Sequence, residues 1–238
     1  MTAALGWGAL AASSLLIGSL LGIVRHWPDR AVGLVLAFGA GALISAVSFD
    51  LAQEGAQLGG GDSLALGLAA GAFTYYLANR RLERFGRRNG TEAPDAGPAL
   101  ALGAFLDGIP EQMVLGIGLA AGDGVSVGLL AAIFVSNLPE AIGSATAMRA
   151  AGTRPAAIRR LWFLIAVGCM LATPAGFALA DMTGGDLQAG IDGFAAGALL
   201  VMLIDSMIPE AARKSGRAGG LVTVLGFAVA AALSGVLA

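Results

Sequence analysis

Residues 98–148 read PALALGAFLDGIPEQMVLGIGLAAGDGVSVGLLAAIFVSNLPEAIGSATAM, and the fold follows from how they are read. Two apolar stretches, each long enough to cross the hydrocarbon core of a bilayer as a helix, are joined only by Gly122-Asp123-Gly124. Each carries a proline followed at once by a glutamate, Pro110-Glu111 and Pro139-Glu140, and a third pair, Pro209-Glu210, recurs late in the chain. An ionisable group at the bilayer midplane costs about 2.5–3.5 kcal/mol to insert, so its default role is in a substrate or ion pathway. Proline adds a second clue. Lacking an N–H, it leaves the carbonyl four residues upstream without its helical donor, here Leu106, Val135 and Asp205. Such oxygens persist at membrane depth only where protein, water or a cation satisfies them. The repeated pairing reads as a cation site.

Working outward, hydrophobic residues make up 57% of the 238 and charged ones 13%, a balance foreign to soluble domains. The expected class is an all-α polytopic membrane protein. Eight candidate spans cover roughly residues 3–24, 31–55, 63–82, 98–121, 125–148, 157–180, 187–211 and 219–237, forming one eight-helix transmembrane domain over 1–238. Residues 83–98, with charges, glycines and Pro94, read as a flexible cytoplasmic loop within it. All 14 Lys and Arg residues fall at alternate turns, after spans one, three, five and seven, so those turns face the cytoplasm and both termini face outward. The positive charges follow the first apolar run, which argues for a retained span rather than a cleaved signal peptide. Trp7, Trp27 and Trp162 are expected as headgroup anchors near span ends. The single Cys169 excludes an internal disulfide and reads as packing. Small residues four apart, such as Gly18 and Gly22 or Gly67 and Gly71, read as close helix contacts.

Depth along the spans groups the acids. Asp107 and Glu111 share one helix face, roughly 14–20 Å from the cytoplasmic end of span four, and Glu140 lies roughly 12 Å from that end of span five. The two motifs meet near the midplane as a pseudo-symmetric hairpin with a site between its arms. Asp50 and Glu54 lie near the outer end of span two, and Asp205 and Glu210 toward the inner end of span seven. Together they suggest an outer entrance, a central site and an inner exit.

At this point the residues resemble the ZIP (ZRT/IRT-like) family of divalent-metal transporters, most nearly its bacterial GufA-like branch. The resemblance covers essentially the whole chain. It is carried by the Asp107–Gln112 stretch against the family's His-Asn-x-Pro-Glu-Gly, by Asn137-Leu138-Pro139-Glu140 against Asn-x-Pro-Glu-Gly, and by Ile208-Pro209-Glu210-Ala211 in span seven. The departures are specific. Asp107 stands at the family's metal-binding histidine, Gly108 at its asparagine, Gln112 at its glycine, Ser136 at a usual Glu, Gln or His, and Thr173 at the carboxylate that often precedes the span-six proline. The resemblance implies one metal position, with Asp107, Glu111, Asn137 and Glu140 as ligands, and a pathway along Asp50, Glu54, Gln112, Ser136, Asp205 and Glu210. It also implies that spans one, four, five and six move against the others in an elevator-like exchange.

Ligand chemistry then bears on the cargo. The only histidine, His26, falls in a cytoplasmic turn, and carboxylate and amide oxygens suit Mn²⁺, Fe²⁺ or Mg²⁺, whereas zinc sites are usually built from Cys and His. The family itself points to Zn²⁺. Clustered carboxylates keep at least one proton among them until a cation arrives, so metal binding releases it. An interior-negative potential of 100 mV favours inward movement of a divalent ion by about 4.6 kcal/mol, which allows import without ATP. The expected partners are a divalent metal ion, as transported substrate rather than cofactor, and the lipid bilayer. No organic cofactor and no nucleic acid is expected, and a homodimer stays open. The location implied is a bacterial inner (plasma) membrane, in keeping with Arg far outnumbering Lys. Two other classes compete: a non-transporting ZIP-like protein acting as metal sensor or assembly partner, and an intramembrane metal-dependent enzyme. The second lacks a nucleophile–base pair, so no enzyme is expected.

Overall fold

The computed structural model describes residues 1–25, 27–88, 96–121, 127–180 and 184–233, and among them it contains helix and no strand. The helices are α1 (Thr2–Val24), α2 (Asp29–Ser45), α3 (Glu54–Gly59), α4 (Gly61–Arg88), α5 (Ala96–Ala121), α6 (Val127–Ala150), α7 (Pro155–Leu179), α8 (Gly185–Met202), α9 (Ile208–Ser215) and α10 (Gly219–Leu233). A π-helical segment, Ala46–Gln53, joins α2 to α3, and a second, Leu203–Met207, joins α8 to α9. Helix therefore occupies each of the eight apolar stretches. By length and composition, five segments among the described residues qualify as candidate membrane spans: Thr2–Val24, Asp29–Gly59, Gly97–Ala120, Pro155–Leu179 and the continuous run Gly185–Leu233.

The distribution of side chains is that of a protein in lipid. Leu66, Phe73, Leu221 and Val224 are each at least 65% exposed, whereas Glu111, Glu140, Asp192 and Glu210 are buried. Apolar surface of this kind in contact with water would be an aggregation hazard, and in hydrocarbon it costs nothing. The chain is a multi-pass helical membrane protein.

The helices fall into two groups. One core packs residues of α1, α5, α6 and α7, among them Leu15, Ala104, Ala141, Trp162 and Cys169. The other packs α2, α4, α8 and α9 with both π segments, among them Leu36, Tyr75, Leu199, Met202 and Met207; Val222 of α10 packs against it, and it takes in Leu100 from α5. Lipid supplies no hydrophobic drive between helices, so close approach depends on small residues. Within each group they bring backbone against backbone. A Cβ on Gly67 or Gly71 of α4 would stand 2.1 Å from Gly190 O or 1.9 Å from Phe194 O of α8, and one on Gly18 or Gly22 of α1 would stand 2.8 Å from Leu138 O or Ile142 O of α6.

Prolines act in two ways. Pro110, Pro139 and Pro174 lie inside continuous α-helices. Pro209 instead opens α9, and the turn before it widens so that Ile208 N–H reaches Leu203 O, five residues back. A proline that cannot donate to Asp205 is the physical reason for that widening. In the first π segment the Ser48 hydroxyl donates to Ile44 O at 2.7 Å, competing with the regular ladder.

Two expectations change. Trp162 is no headgroup anchor: it is fully buried in the α1–α5–α6–α7 core, because its position on α7 faces that group rather than lipid. The connector expected over 83–98 is shorter, since α4 continues to Arg88 and α5 begins at Ala96; Arg and Glu are good helix formers and nothing before Arg88 breaks the ladder. His26 and residues 89–95 lie outside the described residues.

Candidate metal-transport site

The helices α5 and α6 are antiparallel, and two sets of contacts set their register. Near one end Leu115 of α5 and Ile133 of α6 share a small core with Ala11 of α1. Near the other the Ser144 hydroxyl of α6 donates to Gly97 O of α5 at 2.7 Å. Between these contacts the 107–111 turn of α5 runs abreast of the 136–140 turn of α6, to within about one helical pitch of 5.4 Å. Both proline–glutamate motifs therefore stand at about one level along the two helices.

At that level the side chains are withdrawn from the surface. Glu111 is 8% exposed, Asn137 1% and Glu140 0%. The amide oxygen of Asn137, Oδ1, is buried and has no hydrogen-bond partner among the described residues. A buried acceptor left open at the level of two buried carboxylates suits a cation bound through oxygen, because an acceptor with no donor retains its full desolvation penalty. Among the described residues no three His, Cys, Asp or Glu side chains gather as a metal-binding group. The side chains of Asp107, Asp50 and Glu54 lie outside the described residues; their backbones are helical.

The remaining pathway residues separate. Gln112 is 1% exposed and committed to its neighbours: its Nε2 donates to Gly8 O of α1 at 3.3 Å, and its Oε1 accepts from the Thr173 hydroxyl of α7 at 2.5 Å. The Ser136 hydroxyl, also buried, donates to Ile133 O of its own helix at 3.1 Å. Asp205 is exposed on the second π segment. Glu210 is buried and paired, with Arg213 through Oε2 and with Lys214 Nζ at 2.9 Å through Oε1, and Lys214 also reaches Asp29 at 3.3 Å. An apolar groove of about 500 Å³ between α2 and α6, lined by Phe38, Phe134, Leu138 and Pro139 among others, lies beside this region and exposes no polar atom.

Sequence reasoning missed Asp192. It is 2% exposed on α8, and a Cβ on Gly55 would stand 3.2 Å from its Cβ, which sets it beside the residue that follows Glu54. The available signal was an acid within an otherwise Gly- and Ala-rich span. Also missed was the tie across the two groups in which the Tyr75 hydroxyl of α4 donates to Ala99 O of α5 at 3.1 Å and lies 3.3 Å from the Ser206 hydroxyl of the second π segment.

Comparison with known proteins adds one likeness. Over 191 residues the chain is 31% identical to a protein of Arabidopsis thaliana named "Putative zinc transporter". The match takes in 77% of this chain and 30% of the plant protein, so the chain spans less than a third of the length of the relative it matches. No protein-family model matches the chain.

Proposed function

We propose that this chain is a ZIP-like transporter, of eight spans with both termini outward, that carries divalent metal cations toward the cytoplasm. Asp107, Glu111, Asn137 and Glu140 bind the ion where α5 and α6 lie abreast. The observation that carries the reading is that Glu111 and Glu140, each directly after a helix proline, are buried at about the same level as the buried and open Asn137 amide oxygen. Membrane helices do not bury two carboxylates and an open acceptor at one level as filler, since each is expensive there. The likeness to a protein named for zinc transport supports the same class. The oxygen-only donor set favours Mn²⁺, Fe²⁺ or Mg²⁺ over Zn²⁺ relative to the usual order of stabilities.

The packing supports movement of one helix group against the other. Inside each group several glycines meet backbone, among them Gly67, Gly71 and Gly116, whereas across the boundary Gly103 meets the Met202 side chain and Gly143 the Leu36 side chain. Flexible side-chain ends repack at low cost as two bodies slide; interlocked backbones do not. In this mechanism the carboxylates take the ion from the outer side, their proton leaves as it binds, and the α1–α5–α6–α7 group carries it past the other.

The test is uptake of Mn²⁺, Fe²⁺, Zn²⁺, Mg²⁺ and Cd²⁺ into proteoliposomes, with Glu111→Ala as control. Uptake that the substitution abolishes is expected. Folded protein that moves none of these ions would overturn the reading in favour of a non-transporting sensor or assembly partner.

A further inference from the structure

We propose that Gln112, held by Thr173 and Gly8, is a positioning residue that aims Glu111 at the ion and supplies no ligand of its own. This rests on the reading of Glu111 as a ligand, and it revises the sequence-based placing of Gln112 along the pathway. Both functional ends of the Gln112 amide are spent on other helices: the NH₂ donates to Gly8 O of α1 and the oxygen accepts from the Thr173 hydroxyl of α7. All this is buried, with Gln112 at 1% and Thr173 at 0% exposure.

The surroundings are shaped for these bonds. A Cβ on Gly8 would stand 2.7 Å from Thr173 Oγ1 and 2.8 Å from Met170 O, so only glycine lets α1 reach α7 here. Met170 O is the carbonyl that Pro174 deprives of its helical donor. One turn along α5 from Gln112, a Cβ on Gly116 would stand 2.0 Å from Thr173 O, so α5 and α7 are in backbone contact next to the hydrogen bond. Three helices are thus pinned at one point.

That point immediately follows the weak place in α5. Pro110 removes one rung of the ladder and crowds the turn before it, which makes the helix prone to bend and swivel just where Glu111 projects. Successive helical residues point about 100° apart, a consequence of 3.6 residues per turn. Fixing Gln112 against α1 and α7 therefore fixes the direction of Glu111, away from that contact. Groups that orient a ligand in this way typically matter by about tenfold or more in metal affinity.

The experiment compares Gln112→Leu, Thr173→Val, Thr173→Ser, the Gln112→Leu/Thr173→Val double variant and Glu111→Ala, using Mn²⁺ and Zn²⁺ separately as probes. Two readouts are taken: the rise in Tm of purified protein on adding metal, and the metal concentration for half-maximal uptake. Gln112→Leu and Thr173→Val are expected to fold, to keep much of the maximal uptake, and to need about tenfold more metal. Thr173→Ser, which keeps the donor, restores the wild-type value, and the double variant is no worse than the worse single one. Wild-type metal response in Gln112→Leu overturns the proposal and reduces the contact to packing. A Thr173→Ser variant as weak as Thr173→Val overturns the role of the hydroxyl. Loss of the metal response in Gln112→Leu as complete as in Glu111→Ala, with Thr173→Val near wild type, would make Gln112 a ligand. A Glu111→Ala protein with full metal response refutes the transport site itself and is read separately.

Discussion

Gly39 of α2 lies so close to Pro139 of α6 that a Cβ placed on it would stand 2.6 Å from the Cβ of the proline ring. This is where the two helix groups touch at the level of Glu140, and the neighbours are a ring and the tip of Met207 rather than backbone. Two residues on, Gly41 faces its own group: a Cβ there would stand 1.8 Å from Thr223 O of α10.

The two glycines should therefore fail differently. Gly41→Ala forces backbones apart within one group and is expected to destabilise by about 3 kcal/mol, the upper part of the overpacking range. Gly39→Ala meets the rigid Pro139 ring instead, costs about 1–3 kcal/mol, and also obstructs the sliding face. Uptake per folded molecule should fall several-fold in Gly39→Ala, as checked by proteoliposome uptake beside thermal melts. Unchanged uptake there would show that the α2–α6 contact does not move.

Removing charge from the site should separate stability from function. Glu140→Gln replaces a carboxylate, fully buried, with a neutral amide of the same shape. The metal-free protein should melt near the wild-type temperature, because the amide keeps the shape of the carboxylate. The metal-induced rise in Tm should shrink, with affinity weaker by about tenfold, or 1.4 kcal/mol. A lower metal-free Tm with an unchanged metal response would make Glu140 a structural residue.

Glu210 is expected to behave as a structural ion pair. It is held by Lys214 at 2.9 Å and by Arg213, and Lys214 is only 15% exposed. Glu210→Gln should cost about 1 kcal/mol of stability, given the solvent-facing Arg213, and leave uptake within about twofold. Denaturation and uptake assays on one preparation decide this. Lost uptake in a stable Glu210→Gln protein would return Glu210 to the transport pathway.

The Tyr75 hydroxyl links the groups through Ala99 O and Ser206. Tyr75→Phe removes a tie across the two groups worth about 1 kcal/mol. The maximal uptake rate should rise, by up to about fivefold if leaving this arrangement limits turnover, with half-saturation unchanged. A changed half-saturation at constant rate would place Tyr75 in binding rather than in movement.

The sequence by itself determined that the chain is helical and membrane-embedded, because composition and the length of its apolar runs admit little else. It also marked Glu111, Asn137 and Glu140, since a buried charge beside a helix-breaking proline is conspicuous in a polymer that otherwise avoids both. Which partners each polar group has was settled only by how the helices pack. Gln112 reads in sequence as one more pathway residue, yet Gly8 and Thr173, 104 and 61 residues away in the chain, occupy its amide. Glu210 reads as an exit acid, yet the helical turn after it supplies two cations. Trp162 reads as an interfacial anchor and Asp192 passes unnoticed, yet both are buried. The physical reason is common to all four. Hydropathy records how much polarity a segment carries, whereas the partner of a hydrogen bond or ion pair is fixed by which helix faces meet, and that depends on small residues far apart in the chain.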